Sequence, residues 1–136
     1  YLRTICNELP YVKYTPTLSH EYIGDNYCKL LEKYAGAIAA TSLETTIKYW
    51  EIPAAGCLTF MEITKANFGR HLGFVDNESA IFINKNNYEE KFEEFLADPE
   101  NPKWEKIANA GRDYAINNFN NQKATNALVQ LIENII

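Results

Sequence analysis

Four stretches of the chain are apolar or β-prone without helical periodicity. "YVKYTPT" (11–17) is a short β-prone run closed by Pro16. "AGAIAATS" (35–42) is small and continuously apolar. "CLTFMEI" (57–63) and "AIFIN" (80–84) follow. Continuous apolar runs of this length fit strands buried on both faces, as in a parallel sheet. Between and around them the apolar residues recur at three and four, the helical period. "YLRTICNEL" places Leu2, Ile5, Cys6 and Leu9 on one face before Pro10. "HEYIGDNYCKLLEKY" (20–34), with Ser19 as its cap, repeats the pattern through Tyr27, Leu30, Leu31 and Tyr34. After the last strand come three helical stretches, "NYEEKFEEFLAD", "NPKWEKIANAGRDYAINNF" and "NQKATNALVQLIENII". Strand and helix therefore alternate before the chain turns helical. The expected class is α/β, with a parallel sheet of about four or five strands, helices on both faces and a helical C-terminal end. The last helix carries an apolar stripe, Ala124, Leu128, Leu131 and Ile135. It is expected to pack on the domain's own sheet, and to mediate dimers if left uncovered.

Length and charge narrow the function classes. The 136 residues suit a single domain, and 46% are hydrophobic, enough for a proper core. The net charge is −5 and no basic run occurs, so nucleic acid is not the expected partner. The acid-rich 88–106 segment is expected to be a solvated helix face rather than a metal site. Three cysteines, Cys6, Cys28 and Cys57, match no zinc or redox spacing and are expected to be buried and reduced, as in a cytoplasmic protein. Only His20 and His71 are available as imidazole ligands, so no metal is expected. No membrane span or signal peptide is expected either. The chain begins at Tyr1, and is expected to be part of something longer.

The candidate chemistry lies in "AATSLETTIKYWEIPAAGCLTF" (39–60). Ligands of open parallel sheets sit beyond the carboxyl ends of the strands. Here a strand is expected to run straight into a helix opened by Thr41 or Ser42. The first-turn amides near Leu43, Glu44, Thr45 and Thr46 then form either an anion site, with hydroxyls from Ser42, Thr45 and Thr46, or an ordinary cap. Lys48 and Glu51 are three apart and share a helix face. They are either a surface ion pair or a phosphate contact with a carboxylate one turn deeper that accepts from a vicinal diol. Pro53 is expected to kink or end the helix near 50–52. Gly56 can adopt positive φ and turn the chain into the next strand, while Trp50 and Ile52 pack. No serine–histidine–acid set, dinucleotide fingerprint or P-loop is present.

The series "K-x-x-E-I-P-A-A-G" (Lys48, Glu51, Ile52, Pro53, Ala54, Ala55, Gly56), then "LTFMEIT", "HLGFVDNESAIFI" and "LADPENPKWEKIANAGRDYA", resembles the C-terminal, donor-binding half of GT-B glycosyltransferases. The resemblance is to the group 1, spore-maturation-type branch, and covers residues 11–136. It implies a Rossmann-like domain that binds a nucleotide-diphosphate sugar, without metal or other cofactor, for transfer to an acceptor (glycan, lipid or protein). Glu51 is implied as the clamp on ribose or sugar hydroxyls, Lys48 as a phosphate contact, and the 43–46 amides as an anion cradle. The loop around Thr15, Pro16 and Thr17 is implied to stand where relatives often border the nucleobase. The catalytic base and the acceptor site are implied to lie in a separate N-terminal domain, to which the last helix reaches back. Lys48 stands where relatives carry arginine, which forfeits the bidentate fork. The rival readings are a nucleotide-sugar epimerase half of similar architecture and a non-catalytic α/β nucleotide-binding or protein-interaction domain.

Overall fold

The computed structural model describes residues 1–15, 22–41 and 43–135. Helix α1 (Leu2–Asn7) and helix α2 (Asp25–Leu31) precede strand β1 (Gly36–Ala39). Helix α3 (Lys48–Ala54) leads to strand β2 (Leu58–Glu62), and a 3-10 turn (Gly69–Leu72) to strand β3 (Ile81–Ile83). Helices α4 (Tyr88–Ala97), α5 (Pro102–Asn118) and α6 (Asn121–Glu133) complete the chain. The class is mixed α/β. Among the described residues the sheet has three parallel strands in the order β1-β2-β3, with Gly36 beside Leu58 and Phe60 beside Ile81.

Period-two alternation in the strands sorts the core into two halves. Leu58 and Phe60 of β2, with Ile81 and Ile83 of β3, meet Leu2 and Cys6 of α1, Tyr88 and Phe92 of α4, and Trp104 and Ile107 of α5. Cys57, Met61, Ile63 and Ala80 instead meet Leu31 of α2, Tyr49 and Ile52 of α3, and Ala115 of α5. Helix α5 thus serves both halves. It starts well because Asn101 accepts from the Lys103 amide (3.1 Å) and Pro102 occupies the first turn, where no donor is needed. Farther along, a Cβ on Gly111 would collide with the Ser79 carbonyl and lie 3.6 Å from the Pro53 Cβ. Glycine is what lets α5 settle against α3 and the turn before β3.

Several expectations need correcting. Among the described residues the strands number three, fewer than the four or five expected, because Tyr11–Thr15 has no strand pairing. Helix α2 is short, entered through Gly24 at φ 57 rather than through Ser19, which lies outside the described residues. The stripe on α6 does not pack on the sheet. No residue of α6 is buried, and Leu128, Leu131 and Ile135 are 57%, 58% and 76% exposed. Cys6 and Cys57 are buried as expected, but Cys28 is exposed. The 88–106 segment does present a solvated face, where Glu94 pairs with Lys91 (3.7 Å) and Lys103 (2.6 Å).

Candidate functional site

Helix α3 starts at Lys48, not at residue 42 or 43. Leu43 and Glu44 form a bend, the Thr41 hydroxyl donates to the Glu44 carbonyl, and the first helical bonds begin with Tyr49 N–H to Thr46 (3.0 Å) and Trp50 N–H to Ile47 (3.1 Å). Leu43, Glu44, Thr45 and Thr46 therefore supply no helix N-terminus. The run of small and hydroxyl residues ahead of the helix favours turn hydrogen bonds over an early first turn. Ser42, like Pro16 and Thr17, lies outside the described residues.

What fixes α3 is a buried polar knot at the carboxyl end of β2. Tyr49, 0% exposed, donates from its hydroxyl to the Glu62 carbonyl (2.9 Å) and accepts from Asn67 Nδ2 (3.1 Å). The same Asn67 amide donates to the Glu62 carbonyl (2.7 Å), and its Oδ1 accepts from the amides of Thr64 (3.1 Å) and Gly69 (3.0 Å). With Tyr49, Ile52 and Pro53 turned into the core, helical geometry sets Lys48 and Glu51 together on an adjoining face.

Pro53 does not end the helix at 50–52. It sits inside α3, buried against α5, and the helix runs on to Ala54. The bond that proline forfeits would have gone to Tyr49, only the second residue of the helix. The stop comes three residues later. Gly56 takes φ 84, and its amide bonds to the Pro53 carbonyl (2.8 Å). Trp50 packs as expected, stacked on Phe119 at 5.6 Å and 13°.

Lys48 and Glu51 both line a cleft of about 540 Å3 that runs along the outer edge of β1. Its walls include Arg3 of α1, Tyr27 and Leu31 of α2, Phe92 of α4, and the 11–15 segment including Thr15. The residues 43–46 are not part of its wall. Lys48 is half-buried, and burial first, then the nearby Arg3 guanidinium, lowers its pKa, with Glu51 partly offsetting them. Among the described residues no ion pair joins Lys48 to Glu51. The Tyr27 phenol is pushed up to about 12, by burial first and then by the Glu51 carboxylate.

Two residues of this region carry more than their sequence context suggested. Arg3 adds a cation to the cleft wall beside Lys48 and Lys13, brought there by α1 from far away in sequence. Glu62 ends the central strand at 7% exposure. Burial raises its pKa, while a hydrogen bond to the Thr41 backbone acts the other way. The one sequence signal for Glu62 was a carboxylate closing an otherwise apolar strand. Burial likewise holds the Cys6 and Cys57 thiols at about 11, so neither is a reactive thiolate near neutral pH. Among the described residues no group of three or more metal-type side chains converges, and no helix is long and apolar enough to cross a membrane. Comparison of the chain with known protein families, curated proteins and solved structures returns no match.

Proposed function

We propose that the chain is the donor-binding, Rossmann-like half of a glycosyltransferase of GT-B type, and that its ligand is a nucleotide-diphosphate sugar. One observation supports this above the others. Lys48 and Glu51 stand on one helix face, line the same cleft, and are not joined by an ion pair. A structural ion pair would have brought their charges together. Separate, they match a ligand that carries phosphate at one place and hydroxyls at another.

In this reading Glu51 accepts hydrogen bonds from two hydroxyls, as an acceptor-only carboxylate does. Lys48 faces the diphosphate and stabilises the negative charge that grows on it as the sugar departs. Burial and then Arg3 lower its pKa despite Glu51, and a bound diphosphate would act to raise it again. No residue is proposed here as the base that activates the acceptor hydroxyl, so the chain alone binds donor without transferring it.

Titration calorimetry with a panel of nucleoside diphosphates and their sugars tests this. At least one member is expected to bind, and Glu51→Ala is expected to weaken it about tenfold or more, the loss of charge-assisted hydrogen bonds worth about 1.5–3 kcal/mol. The circular dichroism spectrum is expected to stay unchanged. Absence of binding by every nucleotide at millimolar concentration would sink the proposal.

A further inference from the structure

The cleft has the dimensions of a missing strand. Among the described residues β1 pairs with β2 alone, so its other edge opens into the cleft. One wall carries Phe92 of α4, and the opposite wall Leu31 of α2 and Ile52 of α3. These are the two layers that sandwich β2 and β3. A strand spacing of about 4.8 Å, a four-residue length of about 13 Å and a layer separation of about 10 Å enclose roughly 600 Å3. The cleft measures about 540 Å3.

One segment already in the cleft has the sequence of a strand. Tyr11, Val12, Lys13, Tyr14 and Thr15 are β-branched or aromatic at four positions of five, and all five line the cleft. Tyr11 and Tyr14 are 43% and 49% exposed. The segment is joined to β1 through α2, and a strand–helix–strand unit of that length lays its strands parallel. Its side-chain parity also fits. Tyr11 meets the Phe92 ring edge-on at 6.3 Å, so strand alternation would set Lys13 and Thr15 with it on the α4 side. Lys13 then approaches Glu89 and Glu93, the carboxylates that already act on the Tyr11 phenol. Val12 and Tyr14 are left to the apolar wall of α2 and α3. The Val12 amide bonds back to Leu9 (3.1 Å), so in an extended segment the amides left to turn toward β1 are those on alternate positions, Lys13 and Thr15.

We propose that Tyr11–Thr15 is a strap that closes onto the free edge of β1 as a fourth parallel strand. Closure fills the cleft and carries Thr15 to the carboxyl edge of the sheet. Lys48 and Glu51 are then reached from that edge rather than along the side of β1. The strap does not depend on what the site binds.

Amide hydrogen exchange on the whole chain, read residue by residue by NMR, tests the closure. The Lys13 and Thr15 amides, and the β1 amides that face away from β2, are expected to exchange at least about tenfold slower than in an unstructured peptide. Lys13→Pro removes one donor and is expected to return those outward β1 amides to peptide rates, leaving the β1 amides bonded to β2 protected. Lys13→Ala, which keeps the donor, is expected to exchange as the parent does. Peptide-like exchange at Lys13 and Thr15 in the parent chain would overturn the proposal. So would a Lys13→Pro variant whose outward β1 amides remain protected. Nucleotide binding enters neither readout, so the strap and the donor site fail separately.

Discussion

Tyr49 and Glu62 show how single residues set the position of α3. The Tyr49 hydroxyl serves at once as donor to the Glu62 carbonyl and acceptor from Asn67. Tyr49→Phe keeps the ring and strands the buried Asn67 amide of one acceptor. The expected cost is about 1–3 kcal/mol, measured by urea denaturation. The Glu62 side chain acts in the opposite sense. Its folded pKa is raised, so the folded state holds a proton that the unfolded chain releases above about 4.5. Stability from this group is complete below the unfolded value and declines as pH rises through the folded one. Glu62→Gln keeps an acceptor for the Thr41 amide and removes the charge. It is expected to raise the melting midpoint at pH 7, with the gain vanishing below about pH 4.5, where both forms are neutral. A gain that persists at low pH would assign the effect to something other than the carboxylate.

At the level of the elements, the contact between α5 and α3 depends on the absence of a side chain at Gly111. Gly111→Ala drives a methyl into the Ser79 carbonyl. The expected loss is about 1–3 kcal/mol in chemical denaturation, despite alanine's better helix propensity. Strands β1, β2 and β3 and helices α4 to α6 were legible in the sequence because their apolar runs and periods are long and bounded. Gly56 was legible as the positive-φ turn into β2, since only the backbone at that position had to be read. The start of α3 was not. Thr41 to Thr46 look like a cap in sequence, but the Thr41 hydroxyl bonds to the Glu44 carbonyl across a bend and the helix waits until Lys48. Pro53 misled in the other direction, because its partner carbonyl lies so near the helix start that little is forfeited. The Lys48–Glu51 face was readable from spacing. Arg3 was not, because only the tertiary packing of α1 brings it to the cleft.

The whole molecule buries its two apolar halves with the residues up to Phe119. Helix α6 adds no buried side chain to either. Removing residues 121–136 is therefore expected to change unfolding free energy by less than about 1 kcal/mol, checked by comparing denaturation curves. The apolar stripe was predictable from its period, but its direction was not. A stripe of Leu128, Leu131 and Ile135 reads the same whether a core covers it or solvent meets it.

The two tryptophans divide between the two halves. Trp104 is buried beside α4, where its ring lies against Phe95 and its Nε1 donates to the Asp98 carbonyl (2.8 Å), with the Lys103 ammonium 4.1 Å from the ring. Trp50 lies on the opposite side of the sheet, flat against Phe119. The chain thus carries one tryptophan per layer. Trp104→Phe leaves Trp50 and Trp50→Phe leaves Trp104, so selectively excited tryptophan emission tracks the α3 side in the first variant and the α4 side in the second. For a cooperative domain, each variant's emission transition is expected to coincide with its own far-ultraviolet dichroism transition. Displaced curves would show that the sheet's two coats come off one at a time.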